Sequence, residues 1–405
     1  MSSECARKLV SPGLSFGEIL MRFALSLMTW TLSLVCSAFA FGEGEPVKLV
    51  RVPDGGLQPQ TVMDQTGVLH LIYLKGDPRA CDVIYARREP RQTNFSRSVR
   101  VNSQTGSALA IGTVRGAQAA LGRNGRLHVA WNGSDQAQPR VANGSPMLYA
   151  RLNEAGDAFE PERNVMTSTQ SLDGGGSVAA DDQGNVYVIW HGHRSNAPQD
   201  ELHRGVFMAK STDDGKTFAA EKQVNPDLTG ACGCCGLKAF VNSQGNLAVL
   251  YRSAAKTGER DVTLLISRNR GESFQSKIVG PWRIAMCPMS TMALGQGEGA
   301  ALLAMWEAKG KVYAQSFKGV DSAEQGRVIE NAGENQKHPV FAMNSSGEML
   351  MAWTEGTGWA KGGAVAWAIM NAKGVLKVKG RAEGVPVWGG VAAVAEGDRG
   401  FTIFF

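Results

Sequence analysis

Cys232-Gly-Cys234-Cys235, followed downstream by Cys287-Pro-Met289, is the least ordinary chemistry in this chain. Thiols so close in sequence can pair as disulfides, hold a soft metal ion or cycle as a redox pair. Disulfides fit an oxidising compartment, and a bond from the cluster to Cys287 would staple neighbouring parts of the fold. Thiolates joined by Met289, His338 or the His191-Gly-His193 pair would instead suit Cu(I) or Zn(II). On a strand, residues two apart share a face, so His191 and His193 could offer two imidazoles to one ion; polar loop histidines are the plainer reading.

The elements that must position these residues are short strands in a repeat. A Gly-led alternating strand ending in an aromatic residue recurs as Gly67–Tyr73, Gly125–Trp131, Gly184–Trp190, Gly245–Tyr251, Ala300–Trp306 (Ala for Gly), Gly347–Trp353 and Gly400–Phe405. An Ala/Val-rich strand precedes each, and the D/N-x-x-G joint between them is a hairpin signal. Third strands follow at Val83–Arg87, Met147–Arg151, Val206–Lys210, Val262–Ser267, Lys311–Gln315 and Ala364–Ile369. Four antiparallel strands in each unit, repeated along the chain, predict an all-β fold: a β-propeller of four-stranded blades. Seven first hairpins against six second hairpins favour seven blades, the last completed by an N-terminal strand at Val47–Val52; six blades with an extra hairpin is the alternative.

Composition sets the context. The 405 residues are 43% hydrophobic and 20% charged, with 49 glycines and a net charge of +5. No Lys/Arg run points to nucleic acid or an anionic membrane. Residues 1–40 read as a leader, with Met21-Arg22 as a basic start, Phe23–Val35 apolar and Ala38-Phe39-Ala40 as a cleavage pattern. Translation could begin at Met21. The apolar run is short for a bilayer span, and Cys36 lacks the small neighbour a lipoprotein site wants. The expectation is an exported (periplasmic or secreted), monomeric propeller over 41–405, without stable membrane insertion. Loss of Cys5 and Cys36 with the leader leaves Cys81, Cys232, Cys234, Cys235 and Cys287, an odd number.

Ser211–Phe218 reads S-x-D-x-G-x-T-F, a full Asp-box carried by Ser211, Asp213, Gly215 and Phe218. Ser267–Phe274 keeps the frame with Asn269, Gly271 and Phe274, and Leu152–Phe159 is a weaker echo. The acidic or amide side chain can accept turn N–H groups while the aromatic packs into the blade, so the boxes are structural. In these places they resemble the sialidase (neuraminidase) superfamily of BNR or Asp-box repeat proteins over nearly the whole mature chain. The chain also resembles exported bacterial Asp-box propellers with a CGCCG segment.

Strand direction sorts the loops. If each first strand descends along the channel, the Asp-box turns lie at the bottom and the loops before first strands lie at the top. The upper face then gathers Gln58, Gln60, Arg115, Asp173, the Cys232–Cys235 run, Cys287, Met289 and His338. It also takes Cys81, His191, His193, Arg204, Arg252, Glu355 and Trp359. The sialidase resemblance implies an arginine triad gripping a carboxylate, an Asp acid/base and a Tyr nucleophile with a Glu partner. Arg51-Val-Pro53 resembles the family's R-I-P motif, and Arg115, Arg204, Arg252 and Arg283 are candidates for further arginines. Tyr251 is the tyrosine placed for a nucleophile and Glu355 a candidate acid, but no Asp matching the family's acid/base appears just after the R-V-P segment. Three readings follow: a propeller binding a small molecule, a glycan or an anionic group at its upper face; an exo-sialidase-type hydrolase; and a soft-metal or redox protein built on the cysteines. Trp359 and Trp388 could stack on a sugar.

Overall fold

The second strand of each unit is the most apolar because neighbouring blades cover it on both faces. The structure, a computed structural model, describes residues 46–284, 286–299, 301–318, 327–328, 333–397 and 400–405. The leader segment, Met21 and Cys36 lie outside the described residues. Val47–Phe405 is one unit, and among the described residues no helix is long and apolar enough to cross a membrane.

Seven sheets form the ring. Blade 1 is Leu57–Met63, Leu69–Asp77, Ala80–Arg88 and Val99–Arg100; blade 2 is Gln118–Leu121, Leu127–Asn132, Met147–Arg151 and Arg163–Asn164. Blade 3 is Ser177–Ala180, Val186–Arg194, Gly205–Ser211 and Lys222–Gln223, with Thr169–Gln170 added beside its second strand. Blade 4 is Lys238–Val241, Leu247–Arg252, Val262–Ser267 and Gln275–Gly280; blade 5 is Ala293–Gln296, Leu302–Ala308, Lys311–Phe317 and Arg327–Val328. Blade 6 is Gln336–Met343, Met349–Glu355, Gly363–Met370 and Leu376–Val385. Blade 7 is Ala392–Ala395 and Phe401–Phe404, joined by Val47–Val50.

Each inner strand touches the next, and Ala392–Ala395 closes the ring against Leu57–Met63. The seven-blade expectation holds, with one difference in the closing blade. Val47–Val50 pairs parallel to Phe401–Phe404 as its third strand. Running in that direction, the first strand delivers the chain to the upper face, where the inner strand of blade 1 must start its descent.

The core lies between blades. Trp131, Trp190, Trp306, Trp353, Tyr73 and Tyr251, the aromatic ends of the second strands, are buried. The hairpins share one device: Asp64, Asp181, Asn242 and Asn344 each accept the N–H four residues on, at 2.9, 2.8, 2.9 and 2.8 Å. Gly184 and Gly245 then take φ of 84° and 76°, which a side chain would resist.

The third-to-fourth-strand turns repeat as closely. Ser211 Oγ donates to Asp213 at 2.7 Å and accepts from Gly215 N–H at 2.9 Å, while Thr217 N–H donates to Asp213 at 2.9 Å. Ser267, Asn269, Gly271 and Ser273 make the same three bonds at 2.9, 2.8 and 2.9 Å. Burial raises Asp213, but the donors from Thr217 and Ser211 outweigh it and hold the carboxyl at about 2. The aromatic of each turn crosses to the preceding blade: Phe218 meets Tyr149 edge-on at 4.8 Å, and Phe159 meets Tyr85 at 5.6 Å. Phe274 packs into the core between blades 3 and 4.

Candidate functional site

The loops above the inner strands are laced together around the channel mouth. The loop into blade 4 is clamped from several sides. Cys232 N–H donates to the Arg252 carbonyl at 2.9 Å, Gly174 N–H to Gly233 at 2.6 Å and Gly236 N–H to Ser290 at 3.1 Å. Bare glycines permit this approach. A Cβ on Gly174 would stand 2.4 Å from the Cys235 carbonyl oxygen, and one on Gly233 would stand 3.0 Å from the Arg204 guanidinium carbon.

Held this way, the Sγ atoms of Cys232, Cys234 and Cys235 converge within 4.8 Å of one another. Cys232 lies 3.4 Å from Cys234 and 3.6 Å from Cys235. These are contact distances rather than the bond of about 2.05 Å, and all five cysteines among the described residues are free thiols. Reading the run as C-x-C-C hides a frame that the fold makes plain: Cys232 and Cys235 are a C-x-x-C pair. Cys287, expected as a fourth sulfur, is exposed and outside the cluster, because its loop precedes a different inner strand. Cys81 stands apart in blade 1, donating to the Ala108 carbonyl at 3.3 Å, and burial pushes its thiol up to about 12.

Three arginines act on the sulfurs. Arg252 is fully buried, donates to the carbonyls of Arg260 and Glu307 at 2.8 and 2.7 Å, and lies 5.0 Å from the Trp282 ring centre. Arg260 pairs with Glu201 at 2.6 Å. Arg204 donates to the Ser171 carbonyl and lies against Gly233. The Nε of all three is buried without a partner. Thiol hydrogen bonds from Cys232 and Cys234, helped by the Arg252 charge, hold Cys235 well below the ordinary thiol range despite burial. Donation to Cys232 and Cys235, with burial, pushes Cys234 up.

The histidines are turned to other tasks. His191 Nε2 meets the Cys235 carbonyl at 3.2 Å and His193 Nε2 the Asp200 carbonyl at 2.7 Å. Burial pushes His191 down to about 4 and lowers His193. His338 Nδ1 accepts from Thr291 at 3.3 Å, and burial pushes it down to about 3. Among the described residues, none of them joins the sulfur cluster.

A channel of about 1190 Å³ runs between the inner strands. Lys238, the first residue of the blade 4 inner strand, reaches across it. Its Nζ donates to Gln118 of blade 2 at 2.6 Å and to Gln60 of blade 1 at 3.2 Å. Burial, with no carboxylate acting on it, pushes this ammonium down to about 8. Sequence reasoning named Gln60 and missed Lys238, although the signal was present. The inner strands of blades 2, 3 and 5 begin with the uncharged Gln118, Ser177 and Ala293.

Arg115 and Trp359 form part of the rim. Arg115 Nε donates to the Asp173 carbonyl at 2.6 Å, its other nitrogens to Ile111 and the Asp173 carboxylate, and its guanidinium lies 5.8 Å from the Trp359 ring centre. Trp359 is 50% exposed. It borders a small pocket with Met289 and Lys337 that shares Thr113 and His338 with the channel. Gln58 is buried beside this rim at φ 50°, its amide donating to the Ala110 carbonyl. Trp388 is partly buried, its indole N–H enclosed without a partner.

The remaining sequence candidates do not converge here. Arg51 lies 4.0 Å over the Phe405 ring and donates to the Gly384 carbonyl, tying the first strand to the closing blades. Arg283 is exposed and pairs with Glu259 at 3.2 Å. Tyr251, expected to be presented at its strand end, is buried with its hydroxyl 3.4 Å from Thr229, because both faces of its strand are covered. Glu355 is buried, accepting from Trp353 Nε1 and Arg381 Nε at 3.0 Å each.

No family model matches the chain, and no curated protein matches it either. Solved structures do match. A Hadza microbial sialidase aligns with a TM-score of 0.52 at 13% identity, over 79% of this chain and 70% of its own. Trypanosoma rangeli sialidase aligns with a TM-score of 0.50 at 9% identity, over 78% of this chain and 56% of its own. The fold is sialidase-like. A Dyadobacter fermentans protein of unknown function aligns to this sialidase-like propeller with a TM-score of 0.50 at 11% identity, over 83% of this chain and 96% of its own. At such identities the likeness speaks for the fold alone.

Proposed function

We propose that this chain is an exported sialidase-like propeller that binds a small anionic, hydroxyl-bearing ligand, such as an acidic sugar, at the upper end of its channel. The observation that carries the reading is Lys238, whose ammonium enters the channel between Gln60 and Gln118 with only amide oxygens as partners among the described residues. A cation in a walled site with no carboxylate beside it favours an anion, because little solvent screens the attraction. The two amides can turn N–H donors to the same ligand, and the exposed Trp359 ring at the adjoining pocket offers an apolar face for a sugar. Binding is preferred to hydrolysis because Arg51, Arg115, Arg204, Arg252 and Arg283 are each engaged elsewhere and Tyr251 is buried. The leader reading supports export.

Titration calorimetry with N-acetylneuraminic acid, glucuronic acid and methyl glucoside tests this. The acidic sugars are expected to bind and the neutral one not, with Lys238→Met abolishing the difference. Release of a fluorogenic aglycone from a sialoside, lost in Arg51→Ala or Arg252→Ala, would establish the hydrolase instead.

A further inference from the structure

The cysteine loop carries an inference independent of the channel. Three sulfurs from four consecutive residues point together, and the loop that holds them is fixed on both sides by backbone bonds to Arg252, Ser290 and Gly174. A redox dithiol needs two sulfurs; here a third, Cys234, lies as close to Cys232 as Cys235 does, at 3.4 against 3.6 Å. Sulfurs bound to one ion at about 2.3 Å in a trigonal plane would stand about 4 Å apart, so small side-chain shifts close the site.

The surroundings fit the charge of such a centre. Three thiolates on a monovalent ion carry two negative charges in a buried place, which is costly without compensation. Arg204, Arg252 and Arg260 each hold a buried Nε with no partner, and two of the three sulfurs, those of Cys232 and Cys235, are themselves buried. Among the described residues only Glu201 pairs closely with any of the three, at 2.6 Å from Arg260; Glu307 stands at 3.9 Å from Arg252. The donor set then selects the metal. A structural Zn(II) site asks for four protein ligands, whereas no histidine, carboxylate or fourth cysteine joins this cluster among the described residues. Soft thiolates without nitrogen or oxygen donors select Cu(I).

We propose that Cys232, Cys234 and Cys235 form a three-coordinate thiolate site for Cu(I) at the mouth of the propeller. On binding, whichever of the three sulfurs are still protonated release their protons to solvent, and the ion is bound by three thiolates without change of oxidation state. Cys287 is no part of the site.

Anaerobic titration of the reduced, full chain with Cu(I) against a chromophoric Cu(I) chelator tests this. One ion per chain is expected, and X-ray absorption should report three sulfur neighbours and no nitrogen. Cys234→Ser, at the half-exposed sulfur, should weaken binding by more than about 100-fold, beyond the roughly 10–100-fold that changes to groups behind the ligands produce. Cys287→Ser and Lys238→Met should leave affinity unchanged, so that failure here and failure of the channel reading are told apart. A Cys232–Cys235 disulfide in protein recovered without reductant, together with Cu(I) affinity no greater than that of Cys234→Ser, would assign the loop to redox chemistry. A preference for Zn(II) with a non-sulfur fourth ligand would also overturn the proposal.

Discussion

Lys238 in blade 4 and Gln118 in blade 2 are joined across the channel by a 2.6 Å hydrogen bond that skips the blade between them. A bond of this kind ties the ring through its axis rather than around its circumference. It also places a charge where the protein gives it little compensation.

That placement sets a pH dependence. Burial lowers the folded pKa of Lys238 to about 8, against about 10.4 in the unfolded chain. The folded state holds the proton less tightly, so the cost of burying the charge is fully present below pH 8 and is relieved as pH rises from about 8 to about 10.4. Because the side chain is only half-buried, Lys238→Met is expected to stabilise the fold at pH 7 by on the order of 2 kcal/mol, and by little above pH 10. Denaturant titrations at both pH values check this; an equal gain at both would remove the electrostatic explanation.

The Ser211–Phe218 turn predicts an acid-sensitive contribution. The folded pKa of Asp213 is depressed to about 2, so its stabilisation is present above about pH 4 and is lost as pH falls toward 2. Asn269 makes the equivalent bonds in the next turn. Asp213→Asn should therefore cost under about 1 kcal/mol, and Asp213→Ala about 1–2 kcal/mol through unsatisfied turn donors. Asp213→Asn should converge with the parent below pH 2 if the acid sensitivity comes from this carboxylate, while Asp213→Ala, which keeps no acceptor, should stay less stable.

Asp214, the next residue, has a different part. It is buried at the lower face, with Arg126 Nε at 2.6 Å, Arg151 at 3.6 Å and His128 Nε2 at 3.6 Å. These partners belong to blade 2, so one carboxylate links two blades. Asp214→Ala leaves Arg126 without its carboxylate, while Arg151 keeps Glu160 at 2.7 Å, and should cost about 1.5–3 kcal/mol. Thermal unfolding would show a large fall in Tm, whereas a fall of a degree or two would mean the link is idle.

The architecture was legible because its signals are local. Gly184 and Gly245 mark hairpins through turn conformation, and Trp131, Trp190 and Trp353 mark strands whose two faces are buried. The sorting of loops into upper and lower faces followed from strand direction alone. The site was less legible, since side-chain direction depends on neighbours distant in sequence. Tyr251 and Arg252 sit at a strand end that looks open until the adjoining blade covers it, and Lys238 acquires its meaning only from Gln60, 178 positions away. Cys287 was grouped with the other cysteines because adjacent inner strands share a mouth, yet its own loop carries it to the exposed side.

Tyr251 and Arg252 supply the sharpest separation of scaffold from catalyst. The Tyr251 hydroxyl lies 3.4 Å from Thr229 and also meets the side chains of Thr263 and Asn225, while its ring is packed in the core between blades 3 and 4. Tyr251→Phe keeps the ring and should cost under about 1 kcal/mol, with ligand affinity unchanged. The Arg252 guanidinium bridges two carbonyls at 2.8 and 2.7 Å beneath Trp282. Arg252→Lys cannot reproduce that planar fork and should cost about 2–4 kcal/mol. A nucleophile–arginine pair would give the reverse pattern: near-normal stability in both variants and sialoside turnover removed in each. Measuring melting and turnover on the same two proteins therefore decides which role this strand end has.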